Sequence, residues 1–192
     1  LDYSQIELRV VAHLSKDPMM VEAFQHNEDI HVRTAAALND IAPEEVTKDM
    51  RRAAKAINFG ILYGMGVQGI MRDAKVSRDE ARLFLDKYFT VHQGIHTYIE
   101  TIKESTKSQG YAETLFGRKR LLPEINSSNR MIAAGAERAA VNMPVQGTAA
   151  DIMKLAMIAV DAAIARGDIN AKMILQVHDE LVLECRTVEL AE

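Results

Sequence analysis

The chain has 192 residues and a formal net charge of −4 at neutral pH, which is long enough to bury one core or two small lobes that share one. No apolar run approaches the length of a membrane-spanning helix, and the first residues lack the basic-then-apolar order of a signal peptide, so a cytoplasmic location is expected. A single cysteine, Cys185, excludes an internal disulfide, and no Cys/His set has the spacing of a zinc site; His92 and His96 stand four apart without the glutamate of a zincin pattern.

In chain order, Leu1-Asp2-Tyr3 reads as extended and passes into a helix carrying Ile6, Val10, Val11 and Leu14. Asp17-Pro18 is an N-cap followed by proline at the first helical position. The tract Asp29 to Ala36 predicts another helix, ending near Asn39-Asp40. A longer one starts close to Thr47 and stops before Gly64-Met65-Gly66. Ser77-Arg78-Asp79-Glu80 is a capping box that opens a helix with Ala81, Leu83, Phe84, Leu85 and Tyr88. The next helix runs through Ile95, Tyr98, Ile99 and Ile102 to a stop at Gly110. Tyr111 to Leu122 reads as a short hairpin around Phe116-Gly117-Arg118. Two alanine-rich helices follow, separated near Pro144, the second ending near Gly167. Residues 171–184 form a terminal hairpin with His178-Asp179-Glu180 at its tip. The fold class is therefore α+β and mainly helical: an antiparallel sheet built from the chain's two ends, with residues 30–110 inserted as a helical lobe.

The chemistry concentrates in three places. Arg51, Lys55, Phe59 and Tyr63 recur every four residues, so a helix puts them on one slowly turning face. Two cations followed by two rings match a molecule with polyphosphate at one end and a flat base at the other. The same pattern also describes an amphipathic helix with a solvated basic start and a buried aromatic end. At the two chain ends, Asp2 and Asp179 each sit at a strand end, and such carboxylates can meet across a small sheet. Hard oxygen donors of this kind suit Mg²⁺ at about 2.0–2.1 Å, and a metal pair roughly 3.5–4 Å apart can serve phosphoryl transfer. The overall acidity argues against indiscriminate coating of nucleic acid, while Arg51-Arg52-Lys55 and Arg118-Lys119-Arg120 supply local positive surface.

The segments Asp2-Tyr3-Ser4-Gln5-Ile6-Glu7-Leu8-Arg9, Arg51 to Gly64, and Val177-His178-Asp179-Glu180 together resemble the three signature motifs of the family A DNA polymerases, the bacterial DNA polymerase I type. Thr114-Leu115-Phe116-Gly117-Arg118 and Asn142 to Asp151 extend the resemblance over the whole length. It implies a palm and fingers fragment: palm in 1–29, fingers in 30–110, palm again in 111–192, with thumb and nuclease domains absent and exposed sheet edges where palm strands are missing. It also implies DNA-templated DNA synthesis in replication and repair, with two Mg²⁺ ions as cofactor, primer-template DNA and dNTPs as partners, no membrane, and a monomeric full-length protein. By the same resemblance Asp2, Asp179 and Glu180 are catalytic, and Asp2, Asp179 and the Tyr3 carbonyl hold metal. Arg51, Lys55 and His31 hold the triphosphate, Phe59 lies beside the sugar, Glu7 blocks a ribose 2′-OH, and Tyr63 stacks at the template side. Arg138, Asn142 and Gln146 touch duplex and template, and His178 lies by the primer end. The sequence departs from the family at His92-Gln93, where Tyr-Pro is more usual, which puts the local helix junction in doubt. Two alternatives stand beside this reading: a single-subunit RNA polymerase relative, which Glu7 opposes, and a fragment that binds dNTP or DNA without turnover.

Overall fold

Helix α1 (Ile6–Ser15) buries Ile6, Leu8, Val10, Val11 and Ala12, a wider stripe than one packed face requires, because α7 and α8 press on it from different sides. The computed structural model describes residues 1–186, and residues 187–192 of the last expected segment lie outside it. Among the described residues there are eight α-helices and two small antiparallel sheets, in accord with the mainly helical α+β class.

The local signals set the helix starts. Asp17 accepts the Met20 N–H at the head of α2 (Pro18–Gln25), Asp29 accepts those of His31 and Val32 at the head of α3 (Ile30–Asn39), and Thr47 accepts that of Met50 at the head of α4 (Lys48–Leu62). The Ser77–Glu80 capping box opens α6 (Arg78–Val91), and Gly110, at φ 81°, ends α7 (Gln93–Gln109) in the left-handed region that glycine tolerates. Helix α5 (Val67–Ala74) was not anticipated; from the sequence the preceding helix stops before Gly64-Met65-Gly66 and nothing is assigned between it and Ser77, but burial of Ile70 holds the segment on the body. No helix of the described residues is long and apolar enough to cross a membrane.

The alanine-rich stretch corrects the sequence expectation. It is one helix, α8 (Arg130–Arg166), 37 residues long with Pro144 inside it. Proline at 144 removes the N–H that the Ala140 carbonyl would receive. The helix continues because Ala140, Val141, Pro144, Val145, Gly147, Thr148 and Ala149 are all buried, and tertiary packing outweighs the local break. One residue along from the freed carbonyl, the Val141 carbonyl receives a further hydrogen bond from the Tyr98 hydroxyl at 3.3 Å.

Two hairpins dock on α8. The first pairs β1 (Tyr111–Glu113) with β2 (Lys119–Leu121), and Ala112 and Leu122 pack with Ile125, Ala136 and Ala140. The second pairs β3 (Ala171–Val177) with β4 (Glu180–Cys185), with a bulge between Met173 and Leu175. The chain's start lies along this hairpin: Leu181 N–H donates to the Leu1 carbonyl at 2.7 Å, Tyr3 N–H donates to the Asp179 carbonyl at 3.1 Å, and Asp2 pairs with Glu180. The two ends therefore meet, as expected, but in a minimal sheet whose Ile174, Leu175 and Val177 remain exposed.

Under the helices runs a buried polar chain. Asp17, His92, Thr34, Asn58 and His31 are each 2% exposed or less. Asp17 contacts His92 Nδ1 at 3.1 Å and accepts the Gly94 N–H at 3.1 Å, so it joins the head of α2 to the α6–α7 junction. A Cβ at Gly94 would stand 2.5 Å from the Asp17 Cα, so only glycine permits this approach. The His92 departure from the usual pattern thus has a concrete place in the core. Burial alone would raise the Asp17 pKa, but His92 and the Met20 and Gly94 amides outweigh it and hold the carboxyl below its ordinary 3.8. The stability it contributes is full above that ordinary value and fades as pH falls through the lowered one. Asp17→Ala is expected to destabilise the fold by about 3 kcal/mol through the lost cap and the stranded partners, read from the urea unfolding midpoint. A loss below about 0.5 kcal/mol would show that the network is replaceable by water.

Candidate active site

The exposed edge of α4 carries Arg51 and Lys55, and the half-buried rings of Phe59 and Tyr63 continue the stripe. On the adjoining face Ala54, Asn58, Ile61 and Leu62 are buried. The two rings lie nearly parallel, 26° apart with centroids at 6.3 Å, and His31 of α3 tilts against Phe59 at 6.0 Å. Arg51 pairs with Asp29 at 2.7 Å. Burial would raise the Asp29 pKa, but the Arg51 hydrogen bond and the two cap amides hold its carboxyl below the ordinary range.

A cleft of about 410 Å³ gathers six of the sequence-predicted residues: Glu7, Phe59, Tyr63, Gln146, His178 and Asp179. They come from α1, α4, α8 and the β3–β4 turn. Tyr63 donates its hydroxyl to the Glu7 carboxylate, and Gln146 also bonds the phenol oxygen. His178 takes a left-handed φ of 52° in the two-residue turn, where its carbonyl accepts from the Gln176 side chain at 2.9 Å. That conformation is uncommon for a residue with a Cβ and fixes where Asp179 stands.

Asp2 and Tyr3 are not in this cleft. They line a smaller cavity beside it, of about 260 Å³, and Asp179 borders both spaces. Glu180 faces Asp2 through the backbone bridge. Arg51, Lys55 and His31 lie farther up α3 and α4, outside the cleft lining. Arg138, Asn142 and Gln146 are spaced four apart on α8 and share one stripe, since Pro144 does not break the helix. The stem of Arg138 covers Gly64, whose φ is 78° and where a Cβ would meet Arg138 Cγ at 2.3 Å. The Asn142 Oδ1 atom is buried without a hydrogen-bond partner.

Several residues brace the site in ways the sequence reading did not assign. Asn58 is a polar group on the buried face of α4, a signal visible as a break in an apolar pattern. Arg118 pairs with Asp151 at 2.8 Å and donates to the Gly147 carbonyl at 2.7 Å, while Thr114 donates to Asp151 at 2.8 Å. A Cβ at Gly147 would stand 2.5 Å from Thr114 Cγ2, so the two motif segments carrying these residues touch because that position is glycine.

Among the described residues, no group of three or more His, Cys, Asp or Glu side chains forms a ready metal cluster. Asp2, Asp179 and the Tyr3 carbonyl nonetheless offer hard oxygens of the kind that bind divalent cations which keep part of their coordination for water and phosphate. Their chemistry fits such an ion.

A family model for DNA polymerase family A matches residues 1–192. The chain belongs to that family. It is 51% identical over 185 residues to DNA polymerase I of Pseudomonas aeruginosa, covering 96% of this chain and 20% of that protein. It is 50% identical over 192 residues to DNA polymerase I of Streptococcus pneumoniae, covering 100% of this chain and 22% of that one. Among solved structures, the polymerase domain of Pol1 from M. smegmatis, in complex with DNA primer-template and dNTP, matches with a TM-score of 0.95 at 43% identity, covering 99% of this chain and 34% of that one. The chain thus spans about a fifth of the length of the curated relatives it matches.

In this family A chain the Tyr63–Glu7 contact has a measurable electrostatic signature. Burial, then the hydrogen bond and charge of Glu7, push the phenol from its ordinary 10.0 up to about 12. Glu7→Gln is expected to bring the ionisation midpoint part of the way back toward 10.0, with burial keeping the remainder, followed by ring-carbon NMR of Tyr63 in a pH titration. An unmoved midpoint would mean that the Glu7 charge contributes nothing.

Proposed function

We propose that the chain is the palm and fingers of a DNA-templated DNA polymerase, with residues 1–29 and 111–192 as palm and 30–110 as fingers. The observation that carries this reading is the meeting of Glu7, Phe59, Tyr63, Gln146, His178 and Asp179 around one cleft, contributed by three helices and a hairpin turn. The M. smegmatis relative is described with primer-template and dNTP, which supports the same partners here.

The triphosphate lies along the exposed start of α4. Arg51 exchanges Asp29 for phosphate oxygens, which its planar fork can grip bidentately, and Lys55 adds a mobile charge. His31, neutral in its buried setting, supplies a hydrogen-bond donor. Phe59 flanks the sugar and Tyr63 the template side. Glu7, oriented by the Tyr63 hydroxyl, occupies the space of a ribose 2′-OH and so selects deoxynucleotides. Gln146, Asn142 and Arg138 meet the nascent duplex in the minor groove, where donors test pair shape without reading sequence. His178 sits by the primer end, and Glu180 assists beside Asp2.

Asp2, Asp179 and the Tyr3 carbonyl would hold two Mg²⁺ ions, which would supply charge neutralisation at the primer oxygen and the departing pyrophosphate. The primer 3′-oxygen bonds to the α-phosphorus as the bond to the β-phosphate oxygen breaks, and pyrophosphate leaves. Closure of α4 gates the step. Its first turns expose Arg51 and Lys55, while its end is tied by Tyr63 to Glu7 and by Gly64 to Arg138.

Asp179→Ala is expected to abolish Mg²⁺-dependent primer extension with little change in the thermal unfolding midpoint. Retained extension would sink the two-metal assignment. Glu7→Ala is expected to relax discrimination against ribonucleotides, measured as the ratio of kcat/KM for dNTP and rNTP; an unchanged ratio would place the gate elsewhere.

A further inference from the structure

We infer that Asn58 is a positioning residue that sets the tautomer of His31 and so aims its hydrogen-bond donor at the triphosphate. The inference rests on the phosphate-binding role proposed above for His31.

The argument is a count of protons. The Thr34 hydroxyl donates to the Ile30 carbonyl at 2.8 Å, so its oxygen is left only to accept. The Asn58 side chain reaches that oxygen at 3.1 Å and therefore presents its NH₂ group there. The same nitrogen stands 3.1 Å from His31 Nδ1. Its second proton points to Nδ1, which must then be the bare, accepting nitrogen. A neutral His31 consequently carries its one proton on Nε2, the donor form a phosphate oxygen requires. Burial first, and then the nearby Arg51 and Lys55 charges, depress the His31 pKa against the opposing pull of Asp29, which keeps the ring neutral.

The row continues on the other side of Thr34. His92 Nε2 lies 3.3 Å from the Thr34 oxygen, and its Nδ1 lies 3.1 Å from the Asp17 carboxylate. The Asp17 carboxylate can only accept, so His92 Nδ1–H donates to it, and the Thr34 oxygen accepts from the Asn58 amide whether its own proton turns to Ile30 or to His92 Nε2. Asp17, His92, Thr34, Asn58 and His31 form one continuous row of hydrogen bonds. The nucleotide-facing member is the last. A role confined to packing would demand only a side chain of the right volume at 58; this row demands an amide.

The test is a double-mutant cycle in the full-length polymerase, reading the KM for a correctly paired dNTP on a primer-template. His31→Ala is expected to raise that KM about tenfold by removing one hydrogen bond to the charged triphosphate, and Asn58→Ala by about as much because it releases the tautomer that makes that bond. The double variant is expected to be no worse than His31→Ala alone, because Asn58 acts through His31. Asn58→Asp, of the same shape but offering only acceptors to Nδ1, is expected to lose as much as Asn58→Ala, and it decides the matter if the alanine variant fails to fold. Additive losses of about a hundredfold in the double variant, or a wild-type KM in Asn58→Asp, would overturn the inference. An unaffected KM in His31→Ala would instead overturn the phosphate role of His31, and the inference with it.

Discussion

Continuity of α8 across Pro144 is the constraint on which the other placements depend. A proline in a helix interior costs about 3 kcal/mol, and a sequence read locally breaks there. The helix survives because the turn around Pro144 is the most enclosed part of it, pressed by α1, α7 and the first hairpin. From this single beam hang the Arg138 stem against Gly64, the Gln146 contact with Tyr63, and the Thr114–Arg118–Asp151 clasp. Had the helix broken, Arg138, Asn142 and Gln146 would not share a stripe, and the end of α4 would lose its contact across the cleft.

Electrostatics divide the site into a part tightly held and a part whose pairing is weak. Arg51 is paired with Asp29, but both side chains are substantially exposed, and pairs of that kind contribute at most about 1 kcal/mol. A phosphate can displace such a carboxylate readily. Tyr63 and Glu7 are different: their contact is half-buried, it adds to the effect of burial in raising the phenol to about 12, and it joins α4 to α1. A chain of net charge −4 can therefore present a cationic edge where α4 begins and a hydrogen-bonded wall where it ends.

Much of this was legible in the sequence because it is local. Caps at Asp17, Asp29, Thr47 and Ser77, the stop at Gly110 and both hairpins depend on chemistry within a few residues, and each stands where its signal put it. Gathering Glu7, Phe59, Tyr63 and Asp179 into one cleft came from family resemblance, since nothing in residue spacing joins position 7 to position 179. What stayed hidden was set by partners far along the chain. The union of two helices into α8 is decided by α1 and α7, Gly147 is required by Thr114, and Asp29 pairs with a cation on another helix. Helix α5 was hidden for the opposite reason: its glycines speak for a loop, and one buried isoleucine outvotes them.

The buried polar row shows why such distant decisions are kept. An apolar core in place of Asp17, His92, Thr34, Asn58 and His31 would avoid desolvation and could be as stable. It would also be indifferent to small rotations of α3 against α4, because dispersion contacts have little direction. Hydrogen bonds near 3 Å do not tolerate such drift, and an unpaired member in this setting is heavily penalised. The row therefore trades some stability for register between the two helices that carry His31, Arg51, Lys55 and Phe59. On the proposed reading those four side chains face one extended ligand together, and register is then the property that the core beneath them has most reason to hold.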